Sequence, residues 1–402
     1  MTETKRHTNQ QPQRGSQNLV RRQHFIQTAA AFSSLAGVTA CELADGGKDG
    51  ASTARRMNHF YPHRVTSAWL LPFIMMNRAL PLLTALLLAP LAAHALDIEW
   101  VTVGDAGNAP DKTGYGAVGY EFQIAKFEVT IGQYAEFLNA VAANDPRGLW
   151  NASMGSALLT DSNQGGIRND LPVFINRTGA PGAYRYEVIA GQEKKPVVYV
   201  SFLDAMRFVN WLHNGQGKGD TETGAYDIAK HGGLARHEPG AKVWIATENE
   251  WYKAAYFQPQ AKGGPAGDYW LYPTRSNEQP QFRAEGASEP NSANYSQKNV
   301  GNLPPGAYTR MYPVGSYPGS ASYYGTFDQG GNAWEWNEAI VFDTQRGMRG
   351  GCVAHTLEKM KSLVRTSSKP EKKYPDTGFR LARAVPKTGD AASFQPATPK
   401  QP

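Results

Sequence analysis

The chain has 402 residues, with 41 Lys+Arg, 35 Asp+Glu and a formal net charge of +6. All of that excess lies in residues 1–95, which hold 10 basic and 4 acidic residues; the rest of the chain holds 31 of each sign. A neutral body gives no electrostatic case for nucleic acid or an anionic membrane. About 300 residues bury a sufficient core without disulfides.

Residues 76–95, MNRALPLLTALLLAPLAAHA, have a short basic start at Met76 and Arg78. An apolar run, Leu80 to Leu91, follows, and then Ala93-His94-Ala95 as a small-x-small cleavage site. This pattern predicts a secretory signal peptide, and with it a periplasmic or extracellular protein. Residues 1–75 are read as a non-domain leader, with translation starting at Met75 or Met76. Within them, RRQHFIQTAAAFSSLAGVTAC also resembles a twin-arginine signal ending in a lipoprotein-like Val38-Thr39-Ala40-Cys41.

From residue 96 one unit recurs three times: a short strand, a capping residue and a helix. In YEFQIAKFEVTIGQYAEFLNAVA, Thr130 caps with Gln133 three residues on, and Ile131, Tyr134, Leu138 and Val141 share one helix face. In KPVVYVSFLDAMRFVNWLHNGQG, Val197–Val200 is predicted as strand and Ser201 as cap. Phe202, Ala205, Val209 and Leu212 form the stripe, and Asn214-Gly215 the stop. In KVWIATENEWYKAAYF, Thr247 and Glu250 make a capping box, with Trp251, Ala254 and Ala255 facing inward. The 41 glycines and 26 prolines imply few long elements. The stretch 258–310 shows no strand alternation and reads as long loop. The tail 386–402 has almost no apolar content and is expected to be disordered. The folded part, 96–385, is read as one domain.

Near the end come DQGGNAWEWNE, MRGGCVAH and PDTGFRLAR. Taken with the capped helices, the ordered motifs are Glu128-Val129-Thr130, Pro196-Val197 to Trp211, Thr247 to Ala255, Gly331 to Trp336, Arg349-Gly350-Gly351 and Gly378-Phe379-Arg380. From about residue 97 to 385 the chain resembles the formylglycine-generating enzyme, or sulfatase-modifying factor, family. The resemblance implies an α+β, C-type-lectin-like fold with little regular secondary structure and long loops. That family includes copper-dependent oxidases of sulfatase cysteines, iron-dependent sulfoxide synthases and ligand-displaying proteins without chemistry.

The oxidase's two copper cysteines fall on His355 and Met360 here, so formylglycine generation by that mechanism is not expected. The His-x3-His-x-Glu pattern of the sulfoxide synthases is absent from the sequence. The family's serine after Gly-Gly is Cys352. The family's calcium loop maps onto the side chains of Asp328 and Glu335 and the carbonyls of Gly331 and Ala333. Calcium suits hard oxygen donors on a sharply turning chain, and two close carboxylates repel without a cation between them. The other reading pairs Glu335 with an arginine and leaves Trp334 and Trp336 as core.

Cys352, His355 and Met360 offer a thiolate, an imidazole and a thioether, soft ligands suited to copper. Iron is the alternative metal, and an inert buried thiol is the bland reading. Trp334 falls on the family's pocket wall. Arg349 and Arg380 either bind an anionic substrate or brace loops through carboxylates. His213, His231 and His237 have no ligand-like spacing. The expectation is an exported, monomeric, metal-dependent oxidoreductase with Cys352 and His355 as catalytic candidates. It would act on a protein or small-molecule substrate, with no nucleic acid and no membrane span in the mature form. The alternative is a non-catalytic binding module.

Overall fold

The computed structural model describes residues 96–155, 160–161, 166–167, 174–298 and 310–386. The stretches read as leader and signal peptide, and the tail from 387, lie outside the described residues. Among the described residues no helix is long and apolar enough to cross a membrane.

In chain order the strands begin with β1 (Trp100–Val103), β2 (Phe122–Ala125), β3 (Thr160–Asp161) and β4 (Gly166–Ile167). Next come β5 (Ile175–Thr178), β6 (Arg185–Val188), β7 (Trp244–Ile245), β8 (Gln281–Phe282) and β9 (Ser292–Ala293). The last five are β10 (Trp334–Val341), β11 (Gln345–Arg349), β12 (Thr366–Ser368), β13 (Thr377–Phe379) and β14 (Leu381–Ala384). The helices are α1 (Ile131–Val141), α2 (Phe202–His213), α3 (Ile228–His231) and α4 (Glu248–Tyr256).

Two four-stranded sheets organise the core. One is antiparallel in the order β1-β2-β14-β7; the other runs β12-β11-β10-β13, with β10 and β13 parallel. A single residue, Arg380, separates β13 from β14. The chain therefore crosses from one sheet to the other at that side chain.

The three helices with capping boxes start where their sequences place them. Thr130 caps α1, Ser201 caps α2 and Thr247 caps α4, each accepting from the backbone N–H three residues on and each with its box closed. These bonds satisfy donors that a helix leaves orphaned at its first turn. Ile131, Tyr134 and Leu138 of α1 are buried, together with Phe137. An aromatic cluster joins α1 to α2 and the sheet: Phe137 meets Phe208 and Trp211, and Phe208 meets Phe379 of β13 edge-on at 5.5 Å. Such ring pairs add about 0.5–1.5 kcal/mol beyond the area they bury.

One expected strand is missing. Val197–Val200 is fully or nearly buried but joins no sheet. Its amides serve loops instead, Val197 N–H donating to Val129 O and Tyr199 N–H to Tyr374 O. Tyr199 also has φ +60°, which breaks strand geometry. The apolar run marked burial, not pairing. The stretch 258–298 is loop, as expected, apart from a 3₁₀ turn at Gln260–Lys262 and the two-residue ladder of β8 with β9.

Thr247→Ala is expected to cost about 1 kcal/mol, because it strands the Glu250 N–H and unlocks the box. Urea unfolding monitored by tryptophan fluorescence measures it, with an unchanged midpoint as the contrary result.

Candidate functional site

Strand β11 ends at Arg349, and the next two residues turn sharply. Gly350 and Gly351 have φ +100° and +74°, and a Cβ on Gly351 would lie 3.0 Å from that of Lys359. Only glycine takes this turn without strain. It delivers Cys352 into the core, where the residue is 1% exposed. A tight turn follows, His355 N–H donating to Cys352 O at 2.9 Å, while Ser296 N–H holds His355 O at 2.8 Å. The imidazole folds back, with Nδ1 2.9 Å from Cys352 Sγ.

The third group comes from elsewhere in the chain. Asp376 immediately precedes β13, and its carbonyl accepts from Trp334 N–H at 2.8 Å. Its Oδ2 accepts from the Cys352 thiol at 3.3 Å. Sulfur, imidazole nitrogen and carboxylate oxygen thus lie within 4.8 Å of one another. Trp334 closes the group, its Nε1–H donating to His355 Nδ1 at 3.2 Å.

Each acceptor in this cluster has a donor. The Cys352 thiol donates to Asp376 Oδ2 and the Trp334 N–H to His355 Nδ1, so the imidazole proton sits on the far nitrogen. Burial and the Asp376 charge push the thiol well above its usual pKa. Burial lowers His355, against the pull of Asp376. The metal-free state therefore has a neutral thiol and a neutral ring, not a low-pKa nucleophile.

The other candidates are placed differently. Met360 is buried in a separate small cluster with Tyr272, Ala293 and Tyr295, whereas Cys352 belongs to the main core. The thiol–imidazole–thioether set read from spacing is replaced by a set with Asp376. Sequence reasoning missed that residue; the available signal was its position just before the Gly378-Phe379-Arg380 motif. Arg349 is fully buried and braces the fold, binding Glu248 at 2.7 Å and the carbonyls of Ser362 and Val364. His237 pairs with Glu338 at 2.9 Å and stacks on Trp244.

Of the two acids Asp328 and Glu335, Glu335 has its own cation. Arg380 grips Glu335 through two 2.6 Å hydrogen bonds, and Trp251 Nε1–H donates to the same carboxylate at 2.7 Å. Asp328 accepts from Gly315 N–H at 2.6 Å. Repulsion between these acids motivated calcium in the sequence reading, and the guanidinium supplies that positive charge. Gly331 and Ala333 are buried between them in the chain, Gly331 N–H bonding to Gly350 O. A third acid, Glu128, is 2% exposed; Arg380 lies 3.6 Å away and its oxygens accept no hydrogen bond among the described residues. Burial pushes Asp328 up to about 6, and burial together with Asp328 raises Glu128 well above the usual range.

The profile described as "Sulfatase-modifying factor enzyme 1-like domain" matches residues 108–385. The chain belongs to this family. The match covers the capped helices, the Cys352 cluster and every strand of the two sheets except β1, and with it the expected α+β fold of limited regular structure. Hercynine oxygenase of Mycolicibacterium smegmatis is 26% identical over 219 residues, which is 54% of this chain and 37% of that protein. The chain thus spans little more than a third of that relative's length. Among solved structures, CarF aligns with TM-score 0.43 and 20% identity over 72% of this chain and 99% of its own. PvdO from Pseudomonas aeruginosa aligns with TM-score 0.37 and 19% identity over 72% and 93%.

Removing one partner of a buried ion pair leaves the other uncompensated, at about 3–5 kcal/mol. Arg380→Met is expected to lose at least that much, since it strands Glu335 and deepens the misfit at Glu128. Glu335→Gln, which keeps acceptor and shape, should lose less. Equilibrium denaturation ranks the two, and equal losses would show that charge is not the issue.

Proposed function

We propose that this domain is a metal-dependent oxidoreductase whose metal is held by Cys352, His355 and Asp376. The supporting observation is the convergence of three different donor atoms within 4.8 Å. A cation held there would take the place of the Cys352 thiol proton beside Asp376. The mixed donor set narrows the metal. Thiolate and imidazole suit copper, and the carboxylate moves the preference toward iron(II). Bound there, the metal would supply one-electron or oxygen chemistry. The chain's own part is to keep the site dry: Trp334 is 5% exposed and orients the ring, and the Gly350-Gly351 turn holds the thiol. Half-buried His355 is the approach side for a protein or small-molecule substrate.

Anaerobic titration with Fe(II) and Cu(I), followed by desalting and metal analysis, tests the reading. About one equivalent should be retained by the wild type. Cys352→Ala and Asp376→Asn should each weaken retention by more than about a hundredfold, beyond the roughly 10–100-fold loss typical of removing an outer-shell partner. Bound metal should also block a thiol reagent. Equal retention in all three proteins would overturn the assignment and leave Cys352 as packing in a binding module. Its buried, protonated state in the absence of metal favours that second reading if no metal is held.

The domain is not expected to make formylglycine. Its counterparts of the oxidase's two copper thiols are His355 and Met360, an imidazole and a thioether in place of two thiolates. Incubation of a Cys-x-Pro-x-Arg peptide with copper and oxygen should yield no aldehyde by mass spectrometry; an aldehyde would refute the inference.

A further inference from the structure

A second concave site lies along β10, away from the metal candidates. Trp334 touches His355, and Glu338 follows four residues later, which is about 13 Å along an extended strand. Between Asn337 and Ile340 the ladder with β11 shifts register, so Glu338 and Ala339 leave the regular pairing. Bulges of this kind re-aim side chains and cluster beside binding sites. Here the bulge opens onto a groove of about 410 Å³, whose walls include Tyr115, Arg236, Glu248, Glu338, Ile340 and Arg365.

The groove's charged lining is two guanidiniums, Arg236 and Arg365, and two carboxylates, Glu248 and Glu338. Glu248 is fully used, one oxygen on Arg349 and the other on Arg365, each at 2.7 Å. Glu338 is used by the Tyr226 hydroxyl and the His237 ring. Behind it, Arg346 is completely buried, and its guanidinium bonds only to the carbonyls of Gly233, Ala235 and Glu338. Arg236 is exposed at the rim and has no acidic partner among the described residues. Of the four charged groups that line the groove, only Arg236 is left without a partner among the described residues. Arg365 Nε is buried without an acceptor. An unpaired buried donor of this kind costs free energy that an incoming oxyanion recovers. The start of α4 adds its positive end through Thr247, Glu248 and Asn249, which also line the groove.

The apolar half of the wall sets the rest of the ligand. Tyr115 is half-buried, with its ring 5.3 Å from the Arg365 guanidinium, and Ile340 is partly exposed. We propose that this groove binds a small organic carboxylate, its oxyanion held by Arg236 and Arg365 and its body laid against Tyr115 and Ile340. The site is independent of the metal assignment, because it uses none of the same side chains.

Isothermal titration of the full chain at low ionic strength, with benzoate and with inorganic phosphate as probes, tests this. Benzoate should bind saturably at one site, and Arg236→Ala should weaken it at least about tenfold, the loss expected for a charge-assisted contact. Arg236 is exposed, so its removal should leave melting without ligand unchanged. Arg185→Ala, on the distant β5–β6 hairpin, should leave benzoate affinity as it is. No saturable binding, or equal affinity in wild type and Arg236→Ala, would overturn the proposal. Phosphate binding as tightly as benzoate would overturn its apolar half.

Discussion

Arg380 is the constraint on which the rest of this structure depends. It is the single residue between β13 and β14, so it stands where the chain leaves one sheet for the other. Its guanidinium is completely buried and spends its donors on Glu335 of β10, on the carbonyls of Ala125 and Lys126 beside β2, and on Phe327. An arginine can do this because its planar fork presents five donors in fixed directions. One side chain thereby registers both sheets against the loop that carries Asp328.

That registration positions the chemistry. With Glu335 held, β10 pairs with β13 so that Trp334 lies opposite Thr377, which puts Asp376 beside Trp334. On its other edge Glu335 lies opposite Arg349, and the Gly350-Gly351 turn then brings Cys352 back toward the same point. The thiol and the ring come from one turn after β11 and the carboxylate from the turn before β13, two segments that the central strand aligns.

The same core is overloaded with acid. Glu128, Asp328 and Glu335 share one guanidinium, and the two acids that Arg380 serves least are the two whose pKa values are raised. In the groove beside β10 the two carboxylates, Glu248 and Glu338, are both engaged, and Arg236 is left over, an arrangement that net charge cannot reveal.

Much of the fold was legible in the chain itself. Capping boxes are local, so Thr130, Ser201 and Thr247 marked their helices at three-residue spacing. The order of short motifs pointed to the family, and the apolar stripes marked the buried faces. Val197–Val200 was misread because burial of a short apolar run does not say whether its amides pair with a strand or a loop. Cys352 and His355 stood out as neighbours, and the turn between them is local enough to bring them together. Asp376, the role of Arg380 as the cation for Glu335, and the displacement of Met360 into another cluster are all long-range facts. They depend on which strands lie side by side and in what register, and only the tertiary structure decides that.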